Sequence, residues 1–468
     1  MLRIFGHFFP IPTLVLGFVE AALLTCAIYL ITAPSAPAQI ANGLPVAAQF
    51  AMAVTAFAMV AMIAVGLYNS DVFLDYRVLV IRMLLAVVLI APLAFLVALF
   101  FHDEIGVGAG LRSLWYIKAA LAWLASLLFT RTVFLHVSAL EIFKRRILVI
   151  GSGQRAARLK EMGGNRPGAR FVPVAFINAC GDPRVVECME PFLDKTNDGE
   201  AALRTARELK VQEIVIATED RRGLPVGQFI QCKLAGINVI DYSSFCERET
   251  GRVDLNALQP SWFIFSDGFR MGTMAEFVKR GFDLVVGSVI LVLVMPVMAT
   301  AALAIRLDSS GPVLYRQERV GLRGCKFVLL KFRSMRVDAE RDGAPRWAQK
   351  NDPRMTRIGG FIRKVRIDEL PQLFNVLRGD MSFIGPRPER PFFVDQIAQT
   401  VPFYRERHAI RPGITGWAQI NYPYGASLMD ARHKLSYDLY YLKNCGIFLD
   451  LVILIQTVRV IIWPTGAR

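Results

Sequence analysis

Long uncharged apolar runs limit this chain to folds that live partly in lipid. Four of them lie near residues 12–32, 48–68, 80–101 and 111–130, and a fifth covers 282–307. A helix rises about 1.5 Å per residue, so about 20 apolar residues cross a hydrocarbon core of about 30 Å. Four buried helices of a soluble core are the competing reading. A mean hydropathy of +0.40 over 468 residues argues against it.

The loops orient the first four runs. "APSAPAQIANGLP" carries no charge, and "HDEIGVGAG" is acidic. "YNSDVFLDYRVLVIR" holds Arg77 and Arg82, and Arg131, Lys144, Arg145 and Arg146 follow the fourth run. Excess Lys and Arg marks cytoplasmic loops, so both ends of this four-span bundle face the cytoplasm. "MLRIFGHFFP" reads as the lead into an anchor rather than as a cleaved signal peptide.

The fifth run, "FDLVVGSVILVLVMPVMATAALAIRL", differs. Lys279 and Arg280 precede it, Arg306 lies near its end, and Pro296 sits near its middle. Proline removes a backbone donor and disfavours helix at the residue before it. Basic residues at both ends suit a segment that enters and leaves on one side. A re-entrant helix–bend–helix at Pro296 is therefore expected rather than a crossing.

The net charge of +15 leaves nucleic acid, an anionic membrane or a phosphorylated substrate as partners. With such apolar runs the membrane and phosphate readings lead, and no nucleic acid is expected. Seven scattered cysteines without a Cys-x-x-Cys pair fit a reduced cytosolic face. The five histidines form no metal-ligand spacing.

"RRILVIGSGQRAARLKEMG" (145–163) reads as strand, Gly151-x-Gly153-x-x-Ala156 turn and helix. "FVPVAFI", "EIVIAT" and "INVID" supply further short strands, as a parallel Rossmann-like sheet requires. The carboxylate that would hold a ribose should end the second strand, but Asn178 and Ala179 stand there and Asp182 is the nearest acid. A structural module without redox chemistry is expected, with nucleotide sensing left open.

"PVLYRQERV" and "CKFVLLKFRSM" flank "GLRG", a hairpin that leaves Lys331 and Arg333 at the end of its second strand. Arg354, Arg357, Arg363, Lys364 and Arg366 then crowd the stretch "RKVRIDELPQLFNVLRGDMSFIGPRPERP" (363–391). Asp368 reads as a helix N-cap, with Gly379 just past that helix's end. Capping accounts for one carboxylate and not for the arginines. A helix start ringed by guanidinium groups attracts anions, and Arg387 between two prolines offers a bidentate grip on phosphate. Adjacent Asp368 and Glu369 repel unless a cation lies between them, and with a diphosphate nearby Mg²⁺ is the expected one.

Several segments taken together resemble the bacterial sugar transferase family, monotopic polyprenyl-phosphate glycosyl-1-phosphate transferases. They are "GPVLYRQERVG", "KFRSM", "DPR", "DELPQLFNVLRGDMSFIGPRPE", "RPGITGWAQIN" and "YDLYYLKN". The upstream bundle and module resemble the long-form members, and "PSWFIFSDGF" resembles the linker of the exopolysaccharide branch. The implied organisation is a four-span bundle (1–140), a Rossmann-like cytoplasmic module (145–248), a linker (249–275) and an α+β transferase domain (276–468) with its re-entrant helix.

The resemblance implies that Asp368 attacks a UDP-sugar, releases UMP and holds the sugar phosphate, then passes it to polyprenyl phosphate (undecaprenyl phosphate), starting exopolysaccharide or O-antigen synthesis at the bacterial inner membrane. Glu369 assists proton transfer or metal binding, Arg387 holds phosphate, and Lys331, Arg333, Arg354 and Arg411 are further phosphate or nucleotide contacts. The family usually has Ser before the bend proline, and Met295 stands here. Two alternatives remain beside it. One is a membrane-anchored nucleotide-sugar oxidoreductase or dehydratase, against which Tyr242 lacks a lysine four positions on. The other is a nucleotide-sensing regulator of polysaccharide synthesis. The sugar is not legible, and a homodimer through the middle module is one arrangement the sequence allows. "IFLDLVILIQTVRVIIW" (447–463) reads equally as an interfacial helix ending at Trp463 or as a core helix.

Overall fold

The computed structural model describes residues 2–4, 7–33, 40–41, 44–68, 76–100, 112–139, 144–164, 169–178, 185–187, 201–222, 224–269, 272–337, 339, 352–423, 425 and 427–462. Asp182 and Trp463, both singled out in the sequence, lie outside the described residues. The chain divides into two compact units, residues 9–249 and 250–468, with the first eight residues split between them.

In the first unit, α1 (Ile11–Thr32), α2 (Val46–Val65), α3 (Tyr76–Phe100) and α4 (Arg112–Ala139) pack on a core that includes Phe50, Met62, Leu79, Met83, Trp123 and Leu127. Their outward faces are apolar too, with Phe18, Val88 and Phe129 exposed. A helix apolar all round suits lipid rather than water. Arg131, counted above as a cytoplasmic flank, instead lies within α4, buried, with its Nε 2.9 Å from Glu20. The Tyr68 hydroxyl donates to the same carboxylate at 2.6 Å. The basic flank is therefore carried by Lys144, Arg145 and Arg146 alone.

The same unit holds a parallel sheet. Its strands are β1 (Arg145–Ile150), β2 (Phe171–Ile177), β3 (Glu213–Ile216) and β4 (Asn238–Asp241), in the order β2-β1-β3-β4. Helices α5 (Gln154–Met162), α6 (Ala201–Glu208), α7 (Val226–Leu234) and α8 (Tyr242–Thr250) connect or follow them. Ile147, Leu148, Val149 and Ile150 are all buried, as a central strand covered on both faces requires. Gly151 has φ +132°, and the Ser152 hydroxyl after it donates to Asn178 Oδ1 at 2.8 Å. An amide thus fills the place of a ribose-binding acid.

The second unit opens with residues 250–269, from the segment read as a linker, which place Val253 in the core and pack Trp262 and Phe269 against it. Then comes α9 (Thr273–Asp308), one helical element with Pro296 inside it rather than two helices. Its most apolar 18-residue window is only 11% buried, although Val286, Ile290 and Val294 on one side pack against the core of this unit. With α1 and α2 it is long and apolar enough to cross a membrane. The hairpin follows as expected, β5 (Leu314–Val320) antiparallel to β6 (Lys326–Phe332).

Further on are α10 (Arg357–Lys364), a 3-10 turn at Ile367–Glu369, α11 (Gln372–Arg378), β7 (Ser382–Ile384), α12 (Pro391–Thr400), β8 (Gly413–Thr415), α13 (Leu428–Asn444) and α14 (Ile447–Ile462). β7 and β8 pair in parallel. Leu435, Leu439 and Tyr440 of α13 and Leu449 and Ile453 of α14 join Ile384 in the core. The inner face of α14 therefore packs within the unit, and its outer face leaves Leu451 exposed.

Candidate active site

Arg366 takes a left-handed conformation (φ 62°) and turns the chain from α10 into the 3-10 turn that carries Asp368 and Glu369. Asp368 is therefore not a helix N-cap: Pro371 holds that position on α11, and Asp368 sits inside the turn before it. Gly379 does close α11, in the left-handed region at φ 98° that glycine adopts without cost.

The two neighbouring carboxylates face different surroundings. Glu369 meets Arg387 at 2.5 Å, Lys331 at 3.4 Å and Arg366 at 3.6 Å. Asp368 is 7% exposed and accepts no hydrogen bond from a described residue. Burial works against ionising Glu369, but Arg387 and Lys331 outweigh it and hold its carboxyl well below the usual range. Burial and the Glu369 charge push Asp368 up, opposed by Lys331, Arg363 and Arg387. The arginines thus limit a rise rather than simply keeping Asp368 ionised. Burial also lowers the Lys331 ammonium, with Glu369 opposing.

Neighbouring elements set these positions. Asn375 of α11 donates from Nδ2 to Val328 O at 2.8 Å and accepts from Leu330 N at 3.0 Å, which fastens the helix to β6 beside Lys331. Arg387 follows β7, where Gly385 lies so close to the β8 end that a Cβ would stand 2.3 Å from Arg411 O. Arg407 donates to the Arg387 carbonyl at 3.0 Å while its guanidinium pairs with buried Asp438 at 2.7 Å. Asn375, Arg407 and Asp438 were not singled out in the sequence, because polar residues at helical spacing give no sign of what they will meet.

Of the residues singled out, the structure brings Asp368, Glu369, Lys331 and Arg387 together. Arg411 lies on the segment backing the Arg387 loop, through its carbonyl. Arg354 pairs with Asp352 at 2.6 Å. Arg333 is buried and donates to Ser309 O, Ser309 Oγ and Ser310 O at 2.7–2.9 Å, so it ties down the turn after α9. Arg333→Gln should lower stability by about 2–3 kcal/mol through these charge-assisted bonds, read as thermal unfolding.

Arg363 is a different case. It acts electrostatically on Asp368 and has no hydrogen bond or ion pair among the described residues. Arg363→Gln should let the Asp368 pKa rise further. The acid limb of the kcat/KM–pH profile should then move to higher pH, while Arg378→Gln leaves it in place.

Carboxylate oxygens are the hard ligands Mg²⁺ takes, usually one or two from protein with the rest from phosphate and water. Glu369 already faces three cationic side chains, whereas Asp368 accepts no hydrogen bond from a described residue. The donor set suits a hard cation such as Mg²⁺, which Asp368 would hold with Glu369 beside it. Among the described residues no three His, Cys, Asp or Glu side chains form a closed metal cage.

Residues 274–464 match the family described as bacterial sugar transferase. The exopolysaccharide production protein PSS of Rhizobium leguminosarum bv. phaseoli is 42% identical over 189 residues, 38% of this chain and 92% of that protein. This chain belongs to the bacterial sugar transferase family. The family's UDP-N-acetylgalactosamine-undecaprenyl-phosphate N-acetylgalactosaminephosphotransferase of Aeromonas hydrophila is 44% identical over 238 residues, 51% of this chain and 55% of that protein. The UDP-glucose:undecaprenyl-phosphate glucose-1-phosphate transferase of Escherichia coli (strain K12) is 43% identical over 182 residues, 38% and 39% of the two chains. The match thus spans about half or less of these two relatives. Residues 63–232 match a second family, described as a CoA-binding domain.

Proposed function

We propose that the chain transfers a sugar 1-phosphate from a UDP-sugar to polyprenyl phosphate, at the cytoplasmic face of the bacterial inner membrane. One observation carries this reading: a buried aspartate that accepts no hydrogen bond from a described residue, next to a glutamate that three cationic side chains face.

An Asp368 carboxylate oxygen attacks the sugar-linked phosphorus of the donor. The bond from that phosphorus to the bridging oxygen breaks, and UMP leaves with the electron pair. The sugar phosphate is then held as an acyl phosphate. A phosphate oxygen of the polyprenyl acceptor attacks the same phosphorus, the bond to Asp368 breaks, and polyprenyl-diphosphate-sugar departs. Glu369 keeps Lys331 and Arg387 beside the reacting phosphorus, where charge accumulates in the transition state. Arg363 and Arg387 bind phosphate oxygens, and Arg411 and Arg354 lie on the flanking segments. Asp368, with Glu369 beside it, would hold a magnesium ion, which would supply neutralisation of diphosphate charge.

The acceptor is a lipid, and the nearly unpartnered apolar face of α9 supplies the matching surface. Re-entry of α9 at Pro296, rather than crossing, keeps Asp368 on the side where nucleotide sugars are made. Four further spans make the protein multi-pass. The relatives' names cover both glucose and N-acetylgalactosamine, and the sugar here is set by the test itself. Purified membranes offered a panel of UDP-sugars should release UMP with one of them and yield labelled lipid. Without acceptor, the label should stay on the protein. No UMP release with any UDP-sugar would remove the proposal.

A further inference from the structure

Three charged residues in the first turns of α9 hold both arms of the site, although none of them reaches its carboxylates. Arg280 donates to Val376 O at 2.6 Å and Leu377 O at 2.8 Å. These are among the carbonyls a helix leaves unsatisfied at its C-terminus, so Arg280 caps α11, the helix that directly follows Asp368 and Glu369. Asp283 is buried and accepts from the Ser382 hydroxyl at 2.9 Å and from Phe383 N–H at 3.0 Å, on β7. Lys279 donates to Asp450 at 2.7 Å, to the Tyr441 hydroxyl at 3.2 Å and to Ile384 O at 3.3 Å. Ile384 is the last residue of β7, three before Arg387.

We infer that Arg280 and Asp283, with Lys279, are positioning residues that let the membrane helix set the Glu369–Arg387 pair. The carboxylate dyad sits in the turn that leads into α11 and the guanidinium in the loop after β7, and α9 is bonded to α11 and to β7 through different side chains. Where α9 sits in the bilayer therefore fixes how dyad and guanidinium meet. A lipid-embedded helix becomes part of the reaction geometry rather than an anchor alone. Buried polar groups hold such registers because any shift leaves an acceptor or donor unpaired.

This inference rests on the transferase reading, and the test separates the two. Full-length protein in membranes, without acceptor, is mixed with the labelled UDP-sugar, and both rate and amplitude of label trapping are read. Asp283→Ala and Arg280→Ala should slow trapping at least about tenfold at near wild-type amplitude, since each tenfold needs only a small displacement from the reactive geometry. Asp283→Asn keeps an acceptor oxygen and Arg280→Lys keeps a donor, so both should recover most of the rate. Ser382→Ala, a milder change for the case where the alanine variants fail to fold, should slow trapping several-fold. Reduced amplitude at an unchanged rate would make the contacts merely structural and overturn the inference. So would wild-type rates in Asp283→Ala or, where that variant does not fold, in Ser382→Ala. Failure of the wild-type protein to trap label from any UDP-sugar would strike the transferase reading instead.

Discussion

Asp368→Asn is expected to lower turnover by about 10³-fold or more, because an amide offers no anionic oxygen to attack phosphorus. The change is nearly isosteric, and Asp368 accepts no hydrogen bond from a described residue for the amide to lose. Removing a raised, buried carboxylate also removes its repulsion of Glu369, so thermal stability should hold or rise. Label trapped on the protein should vanish together with turnover. Undiminished UMP release from Asp368→Asn would remove this residue as the nucleophile.

Arg387→Gln should damage both activity and stability. It takes the nearest cation from Glu369, a side chain 12% exposed. Removing one partner of a buried pair typically costs about 3–5 kcal/mol, since the other charge stays behind. Turnover should drop by about 10²-fold as transition-state charge loses a donor. The pH dependence has a definite sign. Glu369 is held well below its usual value when folded, so its stabilisation is present above the unfolded pKa and is lost as pH falls through the folded one. In Arg387→Gln that folded pKa rises, so the pH-dependent stabilisation should be smaller and its loss complete at higher pH. The double variant Arg387→Gln, Glu369→Gln should recover much of the stability and none of the activity, read by unfolding and by UMP release. Recovery of activity in the double variant would show that the pair only supports the fold.

Several parts of this arrangement were legible in order along the chain. Hydropathy announces α1, α2 and α9 because helices in lipid carry apolar residues on every face. The 321–324 turn announces the β5–β6 hairpin, since its glycines permit the tight reversal. The crowding of arginines around Asp368 and Glu369 announces an anion site. Other features were not legible. Arg131 reads as a flank and lies buried on Glu20, a partner 111 residues away that no local pattern reveals. Asp368 reads as a cap because its neighbours favour a helix start, yet the left-handed Arg366 moves that start to Pro371. Arg333 and Lys331 are two positions apart on one strand end, and only Lys331 meets the dyad.

By itself the sequence determined the helices apolar enough to cross a membrane, the parallel module and the presence of a carboxylate pair amid cations, because these follow from local periodicity and charge density. Tertiary structure alone decided which cation serves which carboxylate. Arg387, Lys331 and Arg366 converge on Glu369, and among the described residues none bonds Asp368. That division of labour depends on distances of a few ångströms between parts far apart in the chain, and Coulomb attraction and desolvation vary too steeply with distance for order alone to fix them.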